Sequence, residues 1–490
     1  MGPINKLVVV GAGISGLASA FRLEELGIRP LVLEASDTPG GIISTVRKNG
    51  FVFEGGPQFP RFPEPVWRMI RSLQLENEFV AGDAKAKRYI LRDGHLHLAP
   101  FSAIGLLSTG LVSVRSKYLI LSEAFRSSRP PDEEETLAEF VDRKFGPEVL
   151  DYLVDPVIAT IFFGDAGKMG MGSAFPALVD WERTSGSVAR GAIRAYRSKQ
   201  KEQSKNRSFE PSYANSVRLA VTEALPTLGS FRSGMATLPE KLADRMKGNI
   251  QFGSKVESIR AIENRNAKPQ TGWFLRLGNG DELLTEALVL AIPAYAAASL
   301  LESCSPKLAS LLNRTAHAAL GVVSCAYRRS QVSHRLNGFG FMVPRREGLQ
   351  TICTFWNSSL FREHAPDGMI LMTSYVREKS GVQIADVPDD ILSQTVHSEN
   401  AKLLGITGAP VDRVVWKYPR ALPQYTIGHS QRVAQIREAL AEAPGLYLAG
   451  NFLNGRSIGD CAREGFRAAE DAHRYSLAYA SNNPICTGDR

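Results

Sequence analysis

The sequence predicts an α/β protein that combines a Rossmann-like parallel-sheet domain with a mixed-sheet domain and a helical domain. Three observations predict it. An apolar run at 7–10 leads directly into a glycine-rich turn and a helix, and a second strand-turn-helix pattern stands near the end of the chain, at 446–475. Between them, the block at 306–423 alternates predicted strands with turns and short helices. We therefore expect the two ends of the chain to fold together, with the middle inserted.

The glycine-rich turn is expected to hold a pyrophosphate. Gly11, Gly13 and Gly16 have the spacing G-x-G-x-x-G directly after a strand apolar enough to be buried on both faces. Gly11 would permit the tight turn, Gly13 the close approach of the backbone to phosphate, and Gly16 the close packing of helix on strand. The helix from Ser15 to about Leu26 would direct its N-terminal amides at the phosphates.

The next segment indicates an adenine dinucleotide and favours FAD over NAD. Residues 31–33 predict a parallel strand that ends in Glu34, a carboxylate suited to two ribose hydroxyls. Gly40 and Gly41 follow closely, and the sequence Phe-Glu-Gly-Gly-Pro at 53–57 comes after a short strand. A second glycine pair gives close backbone access along an extended cofactor, as a dinucleotide with a bulky tricyclic ring requires.

Length and composition predict a globular protein of two or three domains. Of its 490 residues, 44% are hydrophobic and 22% are charged, which allows a large core. The net charge of +8 comes from 58 basic and 50 acidic residues. This surplus is too small to indicate nucleic-acid binding, although it favours anionic substrates or anionic membrane surfaces.

The cysteines and the start of the chain predict a cytoplasmic protein. The five cysteines form no C-x-x-C pair, which argues for a reducing compartment and against disulfides and a zinc site; they are Cys304, Cys325, Cys353, Cys461 and Cys486. No metal is expected. The first strand begins within ten residues of the start, which leaves no room for a cleaved leader, and no stretch has the unbroken apolar length that spans a bilayer.

The middle of the chain begins with a predicted helix at 66–75 and a hairpin. Its strands, 88–91 and 95–98, turn at Asp93-Gly94. The following stretch, 101–125, is rich in Leu, Ile, Val and Gly. Two interpretations of it stay open: a buried helical hairpin, or an apolar surface that dips into a membrane without crossing it.

Helices are expected next. Thr136 and Glu139 have the spacing of a capping box, and a partner helix is expected at about 147–158, with another helical stretch near 178–181. The polar segment 197–207, with five basic residues and one acidic residue, predicts a solvated loop.

The pattern then returns to that of the cofactor domain. A second capping box is expected at Thr237 and Glu240, with a helix to about Met246. Residues 250–259 predict one strand, and 273–277 is expected to pair with 283–290 through the Asn279-Gly280 turn.

The chain resembles the protoporphyrinogen oxidase family, flavoenzymes of the large glutathione-reductase-like class, over nearly its whole length. The glycine motif with Glu34 and the Gly40-Gly41 pair carry part of the resemblance. The rest lies at 88–91, 96–100, 230–235, 337–344, 421–429, 448–451 and 459–461. The most family-specific of these is Pro-Gln-Tyr-x-x-Gly-His at 423–429.

The resemblance implies which residues bind FAD and substrate. The FAD-binding set is Gly11, Ala12, Gly13, Ile14, Ser15, Gly16, Glu34, Ala35, Gly41, Ile42, Gly56, Pro57, Gln58, Phe59, Val256, Asn451, Arg456, Ser457 and Ile458. Arg88 matches an arginine that anchors a substrate propionate, and a guanidinium fork suits a carboxylate. By position alone, Arg88 would be a surface residue of the hairpin. No His or carboxylate has a spacing that marks it as a general base.

The chain departs from the family pattern at Phe162-Phe163-Gly164-Asp165, where tyrosine or alanine is more often seen before the glycine. The resemblance implies that this loop shapes the wall of the active site. The departure therefore leaves the size of the substrate open rather than the type of reaction. The nearest rivals, the amine oxidases, commonly carry a glutamate where Asn451 stands. They also have a cage of two aromatic rings facing the flavin, and no residues of this sequence can be assigned to such a cage.

The implied function is FAD-dependent oxidation of protoporphyrinogen IX to protoporphyrin IX in haem biosynthesis, with oxygen as acceptor and hydrogen peroxide as product. The alternatives are a coproporphyrinogen III oxidase, a flavin amine oxidase, or a non-catalytic binding protein of the same fold, against which the intact glycine motifs argue. The expected partners are a porphyrinogen, oxygen, a peripheral membrane contact on the cytoplasmic face and a second copy in a homodimer, but no nucleic acid.

Five segments are expected to form the domains. The FAD-binding domain takes 1–84, 229–300 and 429–490. A helical, membrane-associating and substrate domain takes 85–228, and a mixed-sheet, substrate-binding domain takes 301–428.

Overall fold

The computed structural model describes residues 4–203, 228–263, 271–379 and 381–482. Within these residues the strands, numbered in chain order, are β1 Ile4–Val10, β2 Leu31–Leu33, β3 Thr45–Lys48, β4 Phe51–Glu54, β5 Phe79–Ala81, β6 Arg88–Arg92, β7 His95–Leu98, β8 Gly229–Phe231, β9 Ile250–Gln251, β10 Val256–Glu263, β11 Thr271–Leu277, β12 Glu282–Leu290, β13 His317–Arg328, β14 Gly340–Met342, β15 Thr351–Phe355, β16 Met369–Val376, β17 Asp412–Pro423 and β18 Leu446–Leu448.

The α-helices in the same residues are Ile14–Glu25, Glu64–Ser72, Ala103–Ser108, Val114–Ser122, Leu137–Phe145, Pro147–Val149, Asp155–Phe162, Met171–Ala174, Pro176–Ser185, Val188–Gln203, Thr237–Arg245, Ala294–Leu301, Pro306–Asn313, Asn357–Leu360, Asp389–Leu404, His429–Ala441 and Ile458–Asn482. A π-helical turn, Leu150–Val154, joins Pro147–Val149 to Asp155–Phe162.

Two compact units share these elements. The first comprises Met1–Gly82, Pro226–Ala316 and Gln431–Arg490, and the second comprises Asp83–Leu225 and His317–Ser430, each within the described residues. The five-segment domain division stays a prediction.

The first unit contains a mostly parallel sheet in the order β10-β11-β12-β1-β2-β9, with β18 also paired to β12. β1 lies in parallel between β12 and β2, with Val8 opposite both Leu288 and Leu31. β11 pairs with the first half of β12, and β18 runs parallel to its second half, with Leu446 opposite Leu288. Strands from the two ends of the chain therefore share one sheet, as the sequence predicted.

Two helices from opposite ends of the chain pack together beside this sheet. The Ser19 Oγ of helix Ile14–Glu25 donates a hydrogen bond to the Gly465 carbonyl of helix Ile458–Asn482 at 3.0 Å. A Cβ on Gly465 would lie 2.3 Å from the Ser15 carbonyl oxygen, so only glycine allows the helices to approach this closely. The apolar faces of both helices lie in one core with Val9, Val32 and Val289.

The second unit contains the predicted mixed sheet, in the order β17-β13-β16-β15-β14-β6-β7. Its pairs are antiparallel except β6 with β14, where Arg88 lies opposite Gly340. The predicted hairpin at 88–98 forms, with positive φ angles at both Asp93 and Gly94, and supplies the edge of this sheet.

The two faces of this sheet are covered differently. One face packs against helix Asp389–Leu404 through a core that includes Val323, Phe341 and Trp356. The other face packs against helix Asp155–Phe162 through Ile90, Cys353 and Tyr375. Partly buried aromatic side chains remain on this second face, namely Phe163, Phe355, Trp416 and Tyr418. We call it the aromatic face.

The stretch 101–125 is not a buried helical hairpin, so that alternative was wrong. It forms two short helices, Ala103–Ser108 and Val114–Ser122, and a 3-10 turn, Glu123–Phe125. Their outward side chains are strongly exposed: Ile104 is 79%, Val114 81% and Phe125 87% exposed. Leu111 is the opposite case, fully buried under the aromatic face. We call 101–125 the exposed apolar segment.

Among the local predictions, the capping box at Thr136 and Glu139 is confirmed, because the side chain of each residue accepts a hydrogen bond from the backbone amide of the other. Three others were wrong. The segment expected as a loop at 197–207 is helical as far as Gln203, its remainder lying outside the described residues. The residues at 250–259 form two strands, β9 and β10, which pair with different partners because the chain turns at Gly253, where φ is +64°.

The third error concerns Thr237, which is the first residue of helix Thr237–Arg245 and does not cap it. The amides just before the helix are satisfied instead by β3 and β4. Met235 N donates to Glu54 Oε1 at 2.7 Å, and Ala236 N donates to Thr45 Oγ1 at 3.0 Å. Side chains distant in sequence therefore replace the expected local cap.

The described residues contain neither a membrane-spanning helix nor a metal-binding cluster. None of the helices in this part of the chain has the length and apolar character needed to cross a bilayer. In the same part, no cluster of His, Cys, Asp and Glu side chains is placed to hold a metal ion.

Candidate functional site

The three glycines of the first turn have different surroundings. Gly11 has a φ of +100°, and a Cβ there would lie 2.6 Å from the Ala291 carbonyl oxygen. A Cβ on Gly16 would lie only 1.8 Å from the Gly11 carbonyl oxygen, so this glycine closes the helix onto the turn. A Cβ on Gly13 would meet no atom within 4 Å. Gly11 and Gly16 are therefore needed by the fold itself, whereas Gly13 faces open space.

The open space at Gly13 lies at the start of a helix. Gly13 is the N-cap of helix Ile14–Glu25, without a side-chain cap and without an acidic residue in the first turn. Free N-terminal amides and the positive end of the helix dipole favour an anion at this point. The turn thus has the shape and the charge of a pyrophosphate site, and FAD fits the residues present.

Glu34 lies beside the same turn. Its Oε2 accepts a hydrogen bond from Ala12 N at 2.6 Å, and its Oε1 accepts one from Ser36 N at 2.9 Å. The backbone at 251–254 runs along it, since Glu34 N donates to the Gln251 carbonyl and Ser254 N donates to the Glu34 carbonyl. Val256, buried at the start of β10, follows this segment, and Ala35 is exposed. Glu34 and the residues before Val256 therefore lie together.

The second glycine pair lies against the first turn. Gly40 N donates to the Ala12 carbonyl at 2.9 Å, and a Cβ on Gly41 would contact the Gly13 Cα at 3.6 Å. A Cβ on Gly56 would lie 2.2 Å from the Ile42 carbonyl oxygen. Ile42 is 39% exposed. The backbones of these predicted cofactor segments are thus in contact.

Gln58 fixes the segment that follows Gly56. Its side chain is buried and donates to the carbonyls of Glu54 and Gly56 at 3.1 and 3.0 Å. Pro57 and Phe59, predicted with it, are half-buried. Gln58 therefore holds the backbone of its own segment with its side chain.

The C-terminal residues reach the same sheet through β18. Ala449 N donates to the Leu290 carbonyl at 3.1 Å, two residues before the half-buried Asn451. Ser457 and Asp460 form a capping box at the start of helix Ile458–Asn482. Arg456 is half-buried and Ile458 is buried. The Ser457 hydroxyl is consequently engaged within its own helix start.

Glu54 is a residue of this unit that the sequence did not single out. Its carboxylate is buried and accepts hydrogen bonds from the Thr45 hydroxyl at 2.7 Å and from Met235 N at 2.7 Å. Burial raises the pKa of Glu54 to about 7, although both hydrogen bonds oppose the shift. Glu54 therefore joins two of the family-like segments, 53–57 and 230–235, with a carboxyl group that titrates near neutrality.

In the second unit, Arg88 is not a free surface residue. Its guanidinium lies 4.7 Å from the ring centroid of Phe339 and 5.5 Å from that of Phe101. Its one hydrogen bond, to the Ala84 carbonyl, is long at 3.5 Å, and no carboxylate of the described residues lies within ion-pair distance of it. Burial lowers the pKa of Arg88, with the Asp83 charge opposing, yet a guanidinium stays ionised. Arg88 is thus a half-buried cation with most of its donors uncommitted.

A row of four aromatic rings leads away from Arg88 along the aromatic face. Phe339 contacts Phe355 at a centroid distance of 5.5 Å, Phe355 contacts Tyr375 at 5.6 Å, and Tyr375 stacks on Phe163 at 4.8 Å. We call these four rings the aromatic row. A cation at one end of an apolar row suits a molecule that has an anionic edge and an apolar body.

Glu134 fixes the most family-specific segment, 423–429. It accepts hydrogen bonds from Gly428 N and from Ser173 N, both at 2.7 Å. In the same segment, Gln424 donates to the Phe162 carbonyl at 3.1 Å, and Tyr425 stacks on His429 with centroids 4.0 Å apart. This segment therefore anchors the loop that carries Phe162 and Phe163.

Comparison with known proteins matches nearly the whole chain. Residues 14–473 match the family described as flavin containing amine oxidoreductase. The chloroplastic protoporphyrinogen oxidase of Nicotiana tabacum is 29% identical over 498 residues, covering 98% of this chain and 88% of that protein. The coproporphyrinogen III oxidase of Bacillus subtilis is 27% identical over 486 residues, covering 96% and 98%.

A solved structure has the same fold. It is a protein of Exiguobacterium sp. 255-15 provisionally named a protoporphyrinogen oxidase, which is 22% identical and covers 97% of this chain and 100% of its own, with a TM-score of 0.78. The description of this family names a flavin cofactor, and the glycine turn has the space and the charge to bind the pyrophosphate of FAD. The chloroplastic protoporphyrinogen oxidase of Oryza sativa subsp. japonica is 30% identical over 492 residues, covering 96% of this chain and 89% of that protein. The chain is therefore a FAD-dependent oxidoreductase that belongs to the flavin-containing amine oxidoreductases and, within them, to the protoporphyrinogen oxidase family.

Proposed function

We propose that this protein oxidises protoporphyrinogen IX to protoporphyrin IX in haem biosynthesis, with oxygen as the electron acceptor. The observation that carries the proposal is Arg88, a half-buried cation with uncommitted donors at one end of the aromatic row. A porphyrinogen is an apolar ring that bears propionates, and its carboxylate can take the guanidinium donors while its ring contacts the aromatic side chains. The full-length similarity to porphyrinogen oxidases supports the same substrate class.

The protein's own contribution is to bind and to orient. When bound, FAD supplies the redox chemistry, a removal of six hydrogens from the porphyrinogen in three rounds, with hydrogen peroxide as the product of oxygen reduction. We propose that Gly13 and the helix start after it hold the pyrophosphate, and that Glu34 turns from its amide contacts to the ribose hydroxyls. Arg88 would hold a propionate, which fixes the orientation of the ring.

The exposed apolar segment supports a peripheral contact with the cytoplasmic face of a membrane. Its most exposed side chains are large and apolar, and Arg115 beside them is exposed. Lys117, on helix Val114–Ser122, donates to the Leu107 carbonyl of helix Ala103–Ser108 at 2.8 Å. Apolar side chains with adjacent cations suit the interface of an anionic bilayer. A homodimer remains a further prediction.

Coproporphyrinogen III is the second candidate substrate. The relative from Bacillus subtilis, which bears that name, matches 96% of this chain and 98% of its own length. A flavin amine oxidase is a weaker alternative, because a neutral amine has no use for the uncommitted cation at Arg88.

The test is an oxidation assay with both porphyrinogens after reconstitution with FAD. Arg88→Ala is expected to raise KM for protoporphyrinogen IX about 10-fold or more, since a charge-assisted hydrogen bond contributes about 1.5 to 3 kcal/mol. The change in kcat should be smaller, because the propionate contact is nearly the same in ground and transition states. Arg88→Lys is the matched control: it keeps the charge and should retain part of the affinity.

Two results would contradict the proposal. The first is a flavin-loaded protein that oxidises neither porphyrinogen. The second is an unchanged KM for both substrates in Arg88→Ala, which would place the substrate away from Arg88.

A further inference from the structure

Phe163, at the end of the aromatic row far from Arg88, has an unusual backbone conformation. It ends helix Asp155–Phe162 with φ +47° and ψ 25°, in the left-handed region. That conformation is sterically unfavourable for a residue other than glycine. The next residue is Gly164, which could have taken the left-handed position at less cost had the turn been shifted by one residue.

The backbone on both sides of Phe163 is held in place. Arg345 Nη2 donates to the Gly164 carbonyl at 2.6 Å, and Gln424 Nε2 donates to the Phe162 carbonyl at 3.1 Å. Asp155 in turn holds Arg345 in place, since its Oδ1 accepts a hydrogen bond from Arg345 Nε at 3.2 Å. The ring of Phe163 is thereby set on Tyr375, with an interplanar angle of 27°. Strain that surrounding contacts maintain is found preferentially at functional positions.

The row spans a length comparable to a tetrapyrrole with its substituents. Arg88 lies on β6 and Tyr375 on β16, three strand positions apart in the sheet, which corresponds to roughly 14 Å. Arg88 marks a cationic end, and Phe163 marks an aromatic end. Two described cations belong to this end of the sheet: Arg345 has donors committed to Asp155 and Gly164, and Arg377, two residues after Tyr375, donates to the Val343 carbonyl at 3.2 Å.

We propose that Phe163 is a specificity-determining residue, which holds the apolar vinyl-bearing edge of the substrate while Arg88 holds the propionate-bearing edge. This inference rests on the proposed function and deepens it. Protoporphyrinogen IX has propionates on one edge only, so its other edge can lie against Phe163 and Tyr375. Coproporphyrinogen III has propionates on both edges, and a carboxylate placed against these rings would lose water in apolar surroundings, where Arg345 is already paired with Asp155. The chain therefore selects the two-propionate substrate.

The experiment compares kcat/KM for the two porphyrinogens in FAD-loaded wild type, Phe163→Ala and Phe163→Gly. Wild type is expected to prefer protoporphyrinogen IX. Phe163→Ala should lower kcat/KM for that substrate about 10-fold, the scale on which a hydrophobic contact discriminates, and change the value for coproporphyrinogen III less than about 3-fold. Phe163→Gly should lose the same selectivity while the thermal midpoint is kept or raised, because glycine relieves the left-handed strain.

Phe162→Leu is the matched control, because Phe162 belongs to the same loop but packs on Phe175 at a centroid distance of 5.6 Å. Its preference should equal that of wild type. An equal loss for both substrates in Phe163→Ala, or an unchanged preference, would overturn the inference and leave the proposed function intact. A wild type that oxidises neither porphyrinogen would overturn both.

Discussion

The glycine turn of the first unit and the aromatic face of the second unit prepare a binding surface by opposite means. The turn prepares its surface by lacking side chains. Gly13 leaves space, and no side chain stands between the amides of the following helix and a ligand. The aromatic face works by placement, since Arg88 is held between Phe101 and Phe339 and Phe163 is held on Tyr375. The first surface is made of backbone and the second of side chains.

This difference determines which substitutions each surface tolerates. A backbone cradle fails when any side chain is added at the position that contacts the ligand. A side-chain surface fails when a particular side chain is removed, and its neighbours can adjust in part. The predictions below test this contrast, beginning with the largest expected effect.

Gly16→Ala is expected to prevent the first unit from folding normally. The added Cβ would lie 1.8 Å from a backbone oxygen of Gly11, and this turn directly follows β1, a central strand of the sheet, so its backbone cannot move aside. Overpacking of this kind costs about 3 kcal/mol or more. The measurement is the yield of soluble protein and its thermal midpoint, with Gly13→Ala as the control of equal size. Equal stability of the two variants would show that the turn is not packed as described.

Gly13→Val should remove FAD but not the fold. A side chain there meets no protein atom within 4 Å, and its backbone, with φ −68° and ψ 172°, is compatible with valine. The branched side chain would stand where the pyrophosphate has to approach. We expect an apoprotein with the thermal midpoint of wild-type apoprotein and no flavin absorbance after reconstitution. Normal flavin occupancy would place the pyrophosphate elsewhere.

The same contrast explains what could be predicted from the sequence. Gly11, Gly13, Gly16 and Glu34 lie within one short segment, so their spacing alone predicted a turn, a helix and a strand that the structure has. The contacts that fix the aromatic face join distant residues, such as Glu134 and Gly428, which are 294 positions apart. No local pattern shows such a contact. Arg88 was found only through the family resemblance, and Phe163 was noticed only as a departure from it.

The wrong prediction at Thr237 has the same physical origin. Thr237 and Glu240 do have the spacing of a capping box, but a helix start needs only some acceptor for its amides. Glu54, which is 181 positions away from Met235, provides one. A local pattern predicts a cap correctly when no distant side chain takes its place, as at Thr136.

Removing side chains from the exposed apolar segment should weaken binding to anionic liposomes. Changing Ile104, Val114 and Phe125 together to Ser removes three side chains that are each at least 79% exposed, so folding should be unaffected. Sedimentation with liposomes should fall several-fold, because each apolar side chain contributes to interfacial binding. Leu111→Ser is the contrasting variant, since Leu111 is fully buried and its loss should lower the thermal midpoint. Unaltered sedimentation of the triple variant would remove the membrane proposal.

The last predicted effect is a change in pH dependence at Glu54, where a side chain supports the backbone cradle. Burial raises the pKa of Glu54 to about 7 in the folded protein, from an ordinary value of 4.5. The folded state therefore holds a proton that the unfolded state has released, so this stabilising contribution is complete below pH 4.5 and is lost as the pH rises to about 7. The slope is at most about 1.4 kcal/mol per pH unit.

Glu54→Gln mimics the protonated carboxyl, so the stability advantage of wild type over this variant should shrink between pH 5 and pH 8. Thermal midpoints of the FAD-loaded proteins measure it, with the exposed Glu257→Gln as control. Parallel curves for wild type and Glu54→Gln would mean that Glu54 does not change its protonation in this range, and that its hydrogen bonds from Thr45 and Met235 outweigh its burial.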